Sequence, residues 1–354
     1  MAKFVADFGS TWFTHYNSVM TDWQHIIGHE WAVQLLAGSI QHDRVGHAYL
    51  ITGPPQVGKT TLARTFAQAL NCEAAAQQRP CGACRTCQLI ANDRHPDVRF
   101  LQPEISGRGK AIIKIDAIRQ LQQALNLAAY EARVKVTIIK EFDAANLNAA
   151  NAFLKTLEEP PANVVLILTA NDADTLLETI TSRCRTLALR PLPTAIIEQS
   201  LMTRWQVQVD DAMLLAHLAD GRLGWAVAAS RDKSLLNIRD TQLETLHTAL
   251  NGRRVARFML VDKLYRKPET LPDMLKTWLS WWRDLALLAN GSSNQTQISN
   301  IDERKNFEKF ARDWETEAIV NSLRQTDNAL WQLARNANTR LVLENLFLTY
   351  PLPG

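Results

Sequence analysis

No apolar run in this chain reaches the roughly 18 residues that a membrane-spanning helix needs. The beginning of the chain also lacks a basic segment followed by a sustained apolar one, so no secretory signal is evident. Together these absences predict a cytoplasmic protein with no membrane partner. Charge of one sign is scarce as well: 39 Lys and Arg face 36 Asp and Glu, a net of +3. That excess is too small to argue for nucleic-acid binding on its own. Cysteine is rare, with five in 354 residues, but four of the five fall in one short window. In a reducing compartment such a cluster favours a metal over disulfides. What remains is ordinary soluble globular composition, 46% hydrophobic and 21% charged. The length exceeds one typical core and predicts two or three domains.

Residues 1–19 show no clear period and receive no function. Met20-Thr21-Asp22-Trp23 reads as a more conventional start. From there to about Pro191, strands alternate with helices. Strands are expected at Ala48–Thr52, Val98–Leu101, Val134–Ile139 and Val164–Thr169, each short, apolar and mostly β-branched, as in a parallel sheet covered on both faces. Helices are expected at 59–70, 114–129 and 144–158, with Ile115, Ile118, Leu121, Leu125 and Ala128 at helical spacing. This is an α/β doubly wound pattern. Pro191-Leu192-Pro193 breaks it, and only helical patterns follow, interrupted by an Asn/Gly/Ser-rich loop at 290–295.

Gly53-Pro54-Pro55-Gln56-Val57-Gly58-Lys59-Thr60 fits G-x-x-x-x-G-K-[ST], with a strand before it and a helix from Thr61 onward. Glycines there let successive N–H groups turn inward around phosphates. Lys59 would reach the β- and γ-phosphates, and the Thr60 hydroxyl would face Mg²⁺. The helix N-terminus adds positive potential. Residues 53–61 are therefore the candidate nucleotide-binding residues, with ATP and Mg²⁺ as possible ligands. A phosphate loop implies that a nucleotide fits, not that it is hydrolysed.

Cys72, Cys81, Cys84 and Cys87 follow C-x8-C-x2-C-x2-C spacing. Four soft thiolates suit tetrahedral Zn²⁺ with no open position, a structural rather than catalytic site. Cys184 lies far from them and reads as a packed core thiol. The strand 136–139 ends in Lys140-Glu141-Phe142-Asp143. A P-loop ATPase usually carries Asp and then Glu here, for Mg²⁺ and for the attacking water. Glu141 keeps the glutamate position. Lys140 occupies the magnesium position and, having only donors, cannot ligate the ion. It either pairs with phosphate or turns outward as a solvated charge. Efficient hydrolysis in this site is not expected, and Asp143 is a weak substitute.

Several of these segments, taken together, carry a resemblance. They are Ile26-Ile27-Gly28, the phosphate loop, the four-cysteine insertion, Asn148–Pro161 (NAANAFLKTLEEPP) and Ser182-Arg183-Cys184. The chain resembles the bacterial clamp-loader AAA+ ATPases over residues 20–354, most strongly over 45–190. The resemblance implies an AAA+ nucleotide-binding domain at 20–191 with a zinc module at 72–87, a helical lid at 192–234, and an all-helical collar at 235–354 that joins subunits. It implies other clamp-loader subunits, motor-type and non-motor, as partners, together with the sliding clamp and, through the complex, primed DNA. Arg183 matches an arginine finger inserted into a neighbour's ATP site, and Asn171 or Thr169 falls near the γ-phosphate sensor. The tryptophans of 278–282 fall in a helix that resembles a collar helix; exposure of those rings would favour an interface. In the lid, Gly224 and Trp225 stand where motor subunits place an arginine, and Arg222 is expected to face another way. The favoured reading is a clamp-loader subunit that completes a neighbour's site. A motor subunit of the same complex and an unrelated zinc-containing P-loop ATPase of DNA repair are the alternatives.

Overall fold

A computed structural model of the protein describes residues 23–105, 111–291 and 298–352. Residues 1–19 and 292–295, both singled out above, lie outside that range. The chain divides into two compact units, Met1–Pro191 and Leu192–Gly354.

In the first unit, α1 (Glu30–Gln41) precedes β1 (Ala48–Thr52), followed by α2 (Lys59–Asn71), α3 (Arg85–Ala91), β2 (Val98–Leu101), a short antiparallel pair β3 (Glu104–Ile105) and β4 (Ala111–Ile112), and α4 (Ile115–Leu125). Then come β5 (Lys135–Ile139), α5 (Leu147–Glu158), β6 (Val164–Ala170), α6 (Glu178–Thr181) and β7 (Arg185–Ala188). The main sheet is parallel, in the order β2-β5-β6-β1-β7. The four expected strands form within a residue of their predicted ends. The fifth, β7, and the β3–β4 pair were not anticipated. β7 is largely exposed and buries only Leu187, so it lacks the apolar run that marks a buried strand.

Side chains alternate across the sheet, which splits the apolar residues into two cores. Tyr49, Ile51, Val136, Ile138, Val165 and Ile167 pack with Leu62 and Phe66 of α2. Leu50, Ile139, Leu166 and Leu168 pack on the other side with Ile118 and Leu121 of α4 and Phe153 of α5. Cys184 is packed partly buried against this second core, and burial pushes its thiol up to about 12.

Helix α4 ends four residues earlier than the spacing suggests. Lys135 reaches back and donates to the carbonyls of Ala124 (2.7 Å), Leu125 and Leu127 (2.6 Å), closing the helix with a cation where the macrodipole is negative. The Asp97 carboxylate accepts from the N–H groups of Tyr130, Glu131 and Ala132 and holds the following turn. Helix α5 starts late for a similar local reason. The Asn146 side chain caps it by accepting from Ala149 N at 2.8 Å.

The second unit is helical throughout its described residues: α7 (Thr194–Trp205), α8 (Val209–Leu218), α9 (Leu223–Arg231), α10 (Ser234–Asn251), α11 (Arg254–Leu264), α12 (Leu271–Ala289), α13 (Arg304–Asp313), α14 (Thr316–Ala334) and α15 (Thr339–Thr349). Trp278, Trp281 and Trp282 of α12 are completely buried. They are therefore core residues of this unit, with Phe307, Phe310 and Phe347 packed around them, and present no aromatic surface to a partner. The segment expected to be a lid shares this unit with the collar segment. Asp220, after α8, pairs with Arg283 of α12 at 3.1 Å, and His217 Nδ1 lies 2.8 Å from the Ile298 carbonyl.

Two buried carboxylates organise the helices around α12. Asp284 is fully buried; it accepts from the N–H groups of Ser299 and Asn300, from Asn300 Nδ2, and from Arg283. Glu303 accepts from His247, Trp281 and Asn306. Burial works to raise the Glu303 pKa, but those three hydrogen bonds outweigh it and hold the group down to about 2 against a usual 4.5. Its folded pKa is thus depressed. The stabilisation, roughly 3 kcal/mol, is complete above the usual carboxylate range and is lost as pH falls toward 2. Acid titration followed by helical signal should show wild type losing this increment below about pH 4.5, and Glu303→Gln should flatten that part of the curve. Replacing Asp284 by Ala leaves the buried N–H groups of Ser299 and Asn300 without their acceptor, while Arg283 keeps Asp220, and should cost about 2–4 kcal/mol in denaturant unfolding.

Candidate nucleotide and metal sites

The strand order brings the C-terminal ends of β1, β5 and β6 side by side, the usual crevice of an open α/β sheet. All the phosphate-loop residues lie there, between β1 and α2. Gly53 has φ +138° and a Cβ on it would lie 2.4 Å from the Leu189 carbonyl oxygen, so only glycine fits. Gln56 (φ +61°) and Gly58 (φ +116°) complete the left-handed turns of the loop. Gly58 caps α2 directly, and Lys59 and Thr60 form its first turn. On the far side, His29 Nε2 lies 3.3 Å from the Val57 carbonyl; burial lowers the His29 pKa. The sequence offered no signal for that contact.

Lys59 is buried and donates to the carbonyls of Gly53 (2.5 Å) and Pro54 (2.9 Å) and to Asn171 Oδ1 (3.3 Å). Burial lowers its pKa to about 8, against the opposing pull of Asp143 and then Glu141. The Asn171 amide in turn donates to Asp143 Oδ2 at 2.8 Å. So Asn171 stands at the phosphate loop, and Asp143, which the spacing placed merely in a turn, is tied into the same chain of bonds. Its other oxygen, Oδ1, is buried and has no hydrogen-bond partner. Thr169 is buried one residue pair earlier and accepts from the Glu141 backbone N–H at 3.0 Å. Glu141 sits in the left-handed region (φ +50°), with its residue exposed.

Of the two readings left open for Lys140, pairing with phosphate or a solvated outward charge, its burial does not fit the second. Strand alternation carries its side chain to the α2 side, where the ammonium lies over the Phe100 ring, 5.3 Å from its centroid. Burial and, next, the charge of Arg64 lower its pKa. Arg64, itself paired with Asp93 at 2.9 Å, lies on the same side. In the second unit, Arg222 donates to the Ala219 carbonyl at 2.8 Å and lies over the Trp225 ring at 5.8 Å, held within its own helical turn.

The four cysteines come together, with all four sulfurs within 4.8 Å of one another. Each backbone N–H in the turn faces a sulfur: Cys81 N to Cys72 Sγ (3.3 Å), Cys84 N to Cys81 Sγ (3.3 Å), Cys87 N to Cys84 Sγ (3.4 Å). Gly82 supplies the left-handed turn (φ +69°). Burial raises the thiol pKa at Cys72 and Cys87. At Cys81 burial also works upward, but the N–H groups of Cys84 and Ala83 prevail and bring it down to about 7. Sulfur spacing and N–H donors fit a closed tetrathiolate metal site, in which sulfurs about 2.3 Å from a central zinc stand roughly 3.8 Å apart.

Arg183 sits just beyond α6 at the surface, 36% exposed in its side chain. Its Nη1 donates to the Thr179 carbonyl at 2.9 Å, and its Nη2 pairs with Glu158 Oε1 at 2.8 Å. Glu158 lies in the LEEPP segment at the end of α5 and was assigned no role by the spacing of residues alone.

Comparison with known proteins agrees with this arrangement. The family model described as "DNA polymerase III, delta subunit" matches residues 28–193. The DNA polymerase III subunit delta′ of Bacillus subtilis (strain 168) is 30% identical over 321 residues, covering 89% of this chain and 94% of that protein. The delta′ subunit of Pseudomonas aeruginosa is 40% identical over 169 residues, covering 48% of this chain and 49% of its own length. The DNA polymerase III subunit tau of B. subtilis is 26% identical over 321 residues, 85% of this chain but 56% of tau. Elemental analysis of the purified protein should find about one zinc per chain, and Cys81→Ser should lower both zinc content and melting temperature.

Proposed function

Because the chain belongs to the family of DNA polymerase III delta′ clamp-loader subunits, we propose that it completes the ATP site of a neighbouring subunit and does not turn over ATP itself. The observation that carries this reading is the contrast between the surroundings of Lys140 and of Arg183. At its own phosphate loop, the position for a magnesium-binding acid holds Lys140, already lodged on Phe100. At its surface, Arg183 keeps an exposed guanidinium, two of whose five donors are engaged by Thr179 and Glu158.

In the assembled complex, Arg183 faces the γ-phosphate of the adjacent motor subunit and stabilises the charge that develops there as the phosphoryl group transfers. The partners are motor-type and non-motor clamp-loader subunits, and through them the sliding clamp and primed DNA. The helical segments 192–234 and 235–354 act as lid and collar, the latter joining the subunits. The phosphate loop retains the residues to cradle ATP: backbone N–H groups of 53–60, Lys59 for the outer phosphates, the Thr60 hydroxyl for Mg²⁺, and Asn171 as the sensor. Without an acid at position 140, that nucleotide is held and not hydrolysed. Cys72, Cys81, Cys84 and Cys87 would hold Zn²⁺, which supplies a structural cross-link and no open coordination position.

A motor role has one observation in its favour, the intact Lys59 and Thr60 in a well-formed loop. Steady-state hydrolysis separates the two readings. The isolated chain should show negligible ATPase activity, and turnover comparable to that of a motor subunit would refute the proposal. In the reconstituted complex, Arg183→Ala should lower hydrolysis at the adjacent site by about a thousandfold while leaving assembly intact. Full activity in that variant removes the finger assignment.

A further inference from the structure

We infer that Glu158 is the positioning residue that presents Arg183 to the neighbouring site, an inference that rests on the finger reading above. Arg183 has a long side chain anchored at the end of a four-residue helix, α6. Left alone, a side chain of this length samples many rotamers, and a group that must meet a phosphate in a narrow geometry loses rate when it is mobile. Two acceptors remove that freedom. The Thr179 carbonyl takes Nη1 and the Glu158 carboxylate takes Nη2, at 2.9 and 2.8 Å, so the plane of the guanidinium is set by two different elements.

Glu158 is itself well held. It ends α5, whose inner face of Ala149, Phe153 and Leu157 is buried in the core beneath the sheet. Three guanidinium donors remain for an incoming phosphate, so the brace orients the finger without consuming it.

Stability does not account for the pair. The two side chains are 36% and 50% exposed, and ion pairs in that setting add little. A carboxylate at a helix C-terminus is also disfavoured by the macrodipole, which the basic Lys155 in the same turn would suit better. The acid sits where folding alone would not select it, and its partner is the candidate finger.

The test uses the full reconstituted complex with its neighbouring ATPase subunits. Glu158→Gln keeps the side-chain size and removes the charge. It should lower kcat at the adjacent site by about tenfold while ATP KM stays within about twofold. Assembly and melting temperature should not change. In an Arg183→Ala background the same change should have no further effect, since the brace then has nothing to hold. Unchanged kcat in Glu158→Gln, alongside an inactive Arg183→Ala, overturns the brace and leaves the finger standing. A loss that adds to that of Arg183→Ala, or that follows a drop in assembly or melting temperature, also overturns it. Full activity in Arg183→Ala removes the finger and the brace together.

Discussion

A buried ammonium must be given acceptors, and the nucleotide-binding unit is arranged around giving them to Lys59. An unpaired charge at this depth would cost several kcal/mol. Its acceptors come from three places in the chain: the phosphate loop after β1, Asn171 after β6, and, through Asn171, Asp143 after β5. They converge because β6 pairs with both β1 and β5. The same convergence gives the loop its shape from within the protein, through the close approach of Gly53 to Leu189 and the cap that Gly58 forms on α2. A loop held this way is well formed whether or not its own site can hydrolyse anything, so its form and its catalytic competence are separate properties.

Lys140 shows how the two come apart. Strand alternation directs it to the α2 side, and there the ammonium lies over the Phe100 ring. The strand end thereby carries positive charge at position 140. Arg183, bonded to Glu158 at the C-terminal end of α5 while the acid-bearing turn precedes the N-terminal end, lies outside that constraint. Its two bonds are to a carbonyl and a carboxylate within the same unit, and it stays exposed.

In the helical unit the buried charged groups are each given hydrogen-bond partners. Asp284 and Glu303 tie α12 to the segment after it. Arg257 is buried and donates to the carbonyls of Ala249, Gly252, Phe347, Tyr350 and Pro351, gathering the ends of α10 and α15. Burial lowers its pKa, yet helix C-termini supply the negative potential that a cation needs. Segment 192–234 is bonded to α12 through Asp220 and Arg283, within the one compact unit Leu192–Gly354.

Local patterns were enough for much of this. Apolar runs identified four strands, because a parallel strand buried on both faces is apolar along its whole length. The phosphate loop and the cysteine cluster were legible because each lies in a short span whose spacing is dictated by the ligand it fits. Lys140 was legible as a departure for the same reason. β7 escaped because a four-residue, mostly exposed edge strand carries no apolar signature, and the early end of α4 escaped because Lys135 closes it from ten residues away. Sequence by itself determined which residues the phosphate loop, the cysteine cluster and the Ser-Arg-Cys segment contain. Only the tertiary structure decided that Asp143 joins Asn171 and Lys59, that Lys140 rests on Phe100, that the α12 tryptophans are core, and that Glu158 holds Arg183. Each of those depends on which strand or helix ends are neighbours, and hydrogen bonds and ring contacts reach only a few ångströms across elements far apart along the chain.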